Sequence, residues 1–120
     1  PVESMRYMNY LKKDAYIVLN SHPIIPTSVN AGLATYPKFE TIEKELNRVS
    51  KNVISTDASK IATDVGGIIS LNMVIIGAFS EIPNCPFSAD ELKKSIKELV
   101  KPRFVDLNIR AFDEGVKAYN

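Results

Sequence analysis
The alternation of apolar and polar positions divides the chain into segments. Val2 to Leu11 carries Val2, Met5, Met8 and Leu11 on a loose apolar face, which predicts a helix. Ala15 to Leu19 is a short, continuous apolar run with β-branched members, and predicts a buried parallel strand. A polar, proline-containing loop follows as far as Tyr36-Pro37. Phe39, Ile42, Leu46 and Val49 then step by 3, 4 and 3, the spacing of an amphipathic helix. Asn52 to Thr56 predicts a second strand. Asp57 caps a short helix that Gly66 ends.

The second half predicts only helices. Ile69 to Phe79 is apolar nearly all round, so it predicts a buried helix, and Gly77-Ala78 would let a neighbour approach closely. Ser88 and Glu91 have the spacing of a capping box, and Phe87 with Leu92 that of a hydrophobic staple. Pro102 stops that helix. A last helix over 104–119 puts Phe104, Asn108, Ala111, Phe112, Gly115 and Tyr119 on one face. The order of elements is α/β. Two buried parallel strands do not make a stable sheet alone. The expectation is therefore the C-terminal part of a Rossmann-like, doubly wound, three-layer sheet with a helical C-terminal end. Residues 1–120 would form one portion of a single domain, and a free strand edge would make the isolated chain a homo-oligomer.

Composition narrows the functional classes. With 15 basic and 14 acidic residues among 120, nothing favours nucleic acid or an anionic membrane as partner. The longest apolar stretch is interrupted by Ser70, Asn72 and Gly77, and falls short of the ~17–25 residues of a membrane helix. One cysteine, Cys85, excludes an internal disulfide framework or a cysteine-based cluster, and fits a reduced cytoplasm.

Candidate chemistry gathers past the first strand, where open α/β sheets bind ligands. His22 is the only histidine, but a general base needs an orienting partner. The only acid nearby in sequence is Asp14, before the strand, so a loop or interface histidine is favoured. Asn20, Ser21 and Thr27 are weak ligand-binding candidates, weighed against satisfying backbone groups in a loop stiffened by Pro23 and Pro26. Gly32 serves a turn. "DVGG", residues 64–67, could cradle an anion, but it fits no Walker pattern and reads better as a helix end. Asn72 and Asn108 sit on apolar faces, predicting buried, internally paired asparagines. Cys85 lies close before the Ser88 cap, which leaves a weak reactive-thiol reading beside that of a plain loop residue.

Several stretches together carry a resemblance. "YIVLNSHPIIPTSVNAGLATYP", "VISTDASKIATDVGG", "NMVIIGAFS" and "VDLNIRAFDEG" resemble the gamma-type domain of 2-oxoacid:ferredoxin oxidoreductases, nearest to its indolepyruvate branch. The matching points are Asn20, Pro26, Gly32 with Tyr36-Pro37, Asp57-Ala58, Asn72-Met73, Gly77-Ala78, and Asn108 with Ala111-Phe112 and Gly115. The family's glycine-rich N-terminal turn has no counterpart here. The resemblance implies a non-catalytic subunit piece of an enzyme that oxidatively decarboxylates 2-oxoacids to acyl-CoA and reduces ferredoxin. Thiamine diphosphate, the iron–sulfur clusters and CoA would belong to a large partner subunit, with no cofactor or metal on this chain. Asn20, His22, Pro26, Gly32 and Tyr36 would be candidates for contact with that subunit or its cleft. The alternative is a free-standing α/β module that binds a nucleotide or protein, which would need a glycine-rich phosphate loop.

Overall fold
A computed structural model of the chain describes residues 1–119. The elements in order are a 3-10 helix Val2–Tyr10, β1 (Ile17–Asn20), α1 (Thr27–Asn30), α2 (Phe39–Val49), β2 (Val53–Thr56), α3 (Ala58–Val65), a 3-10 turn Ile68–Ser70, α4 (Leu71–Ser80), α5 (Ala89–Leu99) and α6 (Pro102–Tyr119). The fold is mixed α/β: β1 and β2 form a two-stranded parallel sheet, and helices make up most of the rest. The chain divides into two compact units, residues 1–55 and 56–120.

In the first unit, Ile17 and Leu19 of β1 pack on Ile42 and Leu46 of α2. Val2, Met5, Met8 and Leu11 close the same cluster, so the predicted N-terminal face is the one used. The segment is helical as expected, and the helix is of the 3-10 type. The apolar run of β1 was expected to be buried throughout, yet only alternate residues are. Ile17 and Leu19 are buried and Val18 is half-buried, because side chains alternate across a strand and the core cluster takes one face. Within the loop, α1 is one turn that no periodicity announces. It ends in a Schellman motif: Gly32 N–H donates to Val29 O, and Leu33 N–H to Ser28 O, each at 2.9 Å. Gly32 takes the left-handed position, at φ 72°.

The second unit is built on small residues. Ala58 and Ala62 of α3, Val74 of α4 and Ala111 of α6 form a core cluster, and the alanines of α3 and α6 allow a close approach of the helices. Asp57 Oδ1 accepts from Lys60 N–H at 2.8 Å and so starts α3. Gly66 ends it: the Gly66 and Gly67 amides both donate back to Ala62 O. Pro102 does more than stop α5, since it is the first residue of α6, where its fixed φ and missing N–H suit the helix start.

The predicted burial of α4 needs correction. Val74, Gly77 and Ala78 are buried, but Phe79 is 37% exposed, and Ile68 and Ile69 before the helix are 58% and 70% exposed. A helix that is apolar all round does not reveal which side its neighbours cover.

The capping box at α5 is complete. Ser88 Oγ accepts from Glu91 N–H at 3.2 Å, and Glu91 Oε2 accepts from Ser88 N–H at 2.8 Å. Phe87, expected to staple onto Leu92, is 52% exposed. The Ser88 backbone N–H, and then its hydroxyl, hold the Glu91 carboxyl below its ordinary value of 4.5. The folded chain thus binds this proton more weakly than the unfolded chain. The stabilisation is complete above pH 4.5 and disappears as pH falls through the lower folded value. Ser88→Ala is expected to lower stability by about 1 kcal/mol at neutral pH. The deficit should shrink as pH falls through that range, which denaturant melts at a series of pH values would show. A pH-independent deficit would contradict the box.

Candidate functional site
The loop leaving β1 gathers most of the candidates, and local hydrogen bonds organise it. Asn20 Oδ1 accepts from His22 N–H at 3.2 Å, so Asn20 turns the chain as it leaves the strand. Pro26, extended at φ −63° and ψ 152°, leads into α1. Thr27 opens that turn, and its carbonyl accepts from Ala31 N–H at 2.9 Å. His22, Pro26, Thr27 and Gly32 are exposed, whereas Asn20 and Ser21 are half-buried. Tyr36 points back into its own unit: its Oη accepts from Val2 N–H at 3.4 Å, and its ring joins the Ile17–Leu46 cluster.

One property of this segment is carried by no motif. No Asp, Glu, Lys or Arg occurs between Asp14 and Lys38. Ile24 (74% exposed), Ile25 (42%) and Leu33 (82%) stand out from this uncharged segment. A solvated loop ordinarily carries charge, and charge depletion with exposed apolar side chains marks the centre of a protein interface. The signal was present in the sequence as the absence of charge over a long loop.

The other candidates lie elsewhere. Asn108 is buried on α6, and its Nδ2 donates to Phe104 O at 2.7 Å, so it is satisfied within its own helix. Asn72, expected to be buried, is exposed instead. It lies two positions from Val74, about 200° around the helix, and so faces away from the core side. The "DVGG" amides close α3, which leaves Gly66 N–H and Gly67 N–H unavailable to an anion. Cys85 is half-buried, and its N–H donates to Ile82 O at 3.1 Å. Among the described residues, no group of three His, Cys, Asp or Glu side chains could hold a metal ion. No helix among them is long and apolar enough to cross a membrane.

Residues 2–118 match the family model described as pyruvate ferredoxin/flavodoxin oxidoreductase. The chain is 44% identical over 119 residues to the indolepyruvate oxidoreductase subunit IorB of Pyrococcus horikoshii, covering 98% of this chain and 59% of that protein. It is 42% identical to the same-named subunit of Thermococcus kodakarensis, with the same coverage, and 37% identical to that of Archaeoglobus fulgidus, covering 96% of this chain and 57% of that protein. The chain therefore spans less than two thirds of the length of these relatives. No solved structure matches it significantly. The resemblance carried by the four stretches from "YIVLNSHPIIPTSVNAGLATYP" to "VDLNIRAFDEG" is borne out: the chain belongs to the pyruvate ferredoxin/flavodoxin oxidoreductase family, as a gamma-type domain homologous to part of IorB.

Proposed function
We propose that the chain is a non-catalytic part of a cytoplasmic indolepyruvate:ferredoxin oxidoreductase, in the subunit corresponding to IorB. The enzyme would decarboxylate a 2-oxoacid to an acyl-CoA and pass the electrons to ferredoxin. Similarity over 98% of this chain to curated proteins named as subunits of an indolepyruvate oxidoreductase carries this reading. Thiamine diphosphate, the iron–sulfur clusters and CoA would be held by the large partner subunit, where the cofactor performs the carbanion chemistry. The two-stranded sheet would be the C-terminal part of a Rossmann-like, doubly wound frame.

In this reading the 20–33 loop contacts the large subunit. Its Asx turn, one-turn helix and Schellman motif fix its shape before binding, which lowers the ordering entropy lost on docking. The free-standing nucleotide-binding alternative has less support, because the glycine amides that could cradle a phosphate are already hydrogen-bonded.

The test is co-purification of the full-length native protein. It should elute with a thiamine- and iron–sulfur-bearing subunit. A variant carrying Ile24→Asp and Leu33→Asp should keep its helicity and melting temperature, because both side chains are exposed. It should bind the large subunit at least about tenfold more weakly. Elution of the native protein alone would overturn the subunit assignment. Undiminished assembly of the double variant would overturn the role of the loop.

A further inference from the structure
An open cleft of about 540 Å³ runs between α3 and α6, within the range of small-molecule sites. Ile61 and Val65, one turn apart and half-buried, supply its apolar wall. The rest of the lining is charged: Asp64 on α3, and Arg110, Asp113, Glu114 and Lys117 on α6.

The pairing of these charges is uneven. Arg110 stands three residues before Asp113 and four before Glu114, spacings from which a helix carboxylate ordinarily takes a cation. Neither carboxylate pairs with it. Asp113 pairs with Lys93 of α5, Glu114 with Lys117 at 2.6 Å, and Asp64 with Lys60 at 2.5 Å. Glu114, by its hydrogen bond and its charge, holds the Lys117 ammonium above its ordinary range. Each carboxylate of the cleft has its own lysine. Among the described residues, Arg110 is the cation of the cleft that no anion engages.

An arginine fork beside an apolar wall suits a flat carboxylate on an apolar body. The three flanking carboxylates oppose a second negative charge on the ligand. We propose that the α3–α6 cleft binds a small monocarboxylate, its carboxylate on Arg110 and its aliphatic or aromatic body over Ile61 and Val65. This site is independent of the loop and of the subunit assignment.

The test is titration of the 15N-labelled chain with 3-phenylpropionate, followed by amide and arginine side-chain shifts. Saturable shifts confined to α3 and α6 are expected, with a dissociation constant of about 1 mM. The isosteric alcohol 3-phenylpropanol and the Arg110→Gln variant should each weaken binding about tenfold or more. Arg110→Lys, a point charge without the fork, should fall between wild type and Arg110→Gln. Arg110 is exposed, so these variants should fold. The proposal is overturned if shifts are absent or lie elsewhere, if acid and alcohol bind equally, or if Arg110→Gln binds as wild type does.

Discussion
Gly77→Ala and Gly115→Ala are each expected to destabilise the second unit by about 3 kcal/mol, the upper part of the range for overpacking a tight contact. A Cβ on Gly77 would lie 2.1 Å from Phe112 O, and a Cβ on Gly115 would lie 2.0 Å from Val74 O. Both obstacles are backbone atoms inside helices, which no rotamer change can move aside. Helix propensity acts in the opposite direction, since Ala gains about 1 kcal/mol over Gly in a helix interior. The steric term is larger, so the net sign is loss. The two glycines serve one crossing of α4 and α6. Once the first methyl has forced the helices apart, the second meets less resistance, and the double variant should lose less than the sum. Gly32→Ala is the useful control: no atom lies within 4 Å of its Cβ, and only the left-handed backbone opposes it. That strain is worth about 1 kcal/mol. Urea melts of the four variants would decide. Stabilisation by Gly77→Ala would mean that α4 and α6 do not pack this closely.

That crossing also shows where sequence reading stops. Close approach at Gly77-Ala78 was legible, because small residues on an apolar helix have few other uses. Its partner was not, since nothing local links position 77 to position 115. The elements read most accurately carry their own signals. The ends of α3 are written in Asp57 and Gly66, and the start of α5 in the Ser88–Glu91 box. The apolar face of α2 follows from Ile42 and Leu46 at helical spacing. By contrast, α1 is too short to show a period, and its Schellman closure depends on the backbone around Gly32. The buried side of α4 is chosen by α3 and α6, which is why Asn72 looked buried in the sequence and is exposed in the fold. At the candidate site, Asn20 is the last residue of β1, while Pro26 and Gly32 flank α1 in the segment that follows. Tyr36 was grouped with them as a contact candidate, and its ring joins the core cluster, a long-range contact that no local pattern announces.

Phe112→Ala is expected to have the other large effect, about 3–5 kcal/mol. Phe112 is wholly buried, and among the described residues no fully buried side chain is larger. Its removal forfeits the transfer free energy of the ring and leaves a cavity that the surrounding helices fill only in part. The Lys93 ammonium lies 5.8 Å from the ring centroid, but such a contact contributes only about 0.5–1 kcal/mol where the cation stays solvated. Lys93 also keeps its ion pair with Asp113 in the variant. Burial of the ring should therefore account for most of the loss. Lys93→Met provides the comparison, removing the cation while keeping most of the side chain, and should change stability by less than about 1 kcal/mol. Phe112→Leu, which keeps most of the buried bulk, should lose clearly less than Phe112→Ala. Hydrogen exchange would locate the effect, with protection falling first in α4 and α6. A loss in Lys93→Met equal to that in Phe112→Ala would show that the cation, rather than the buried ring, holds this end of α6.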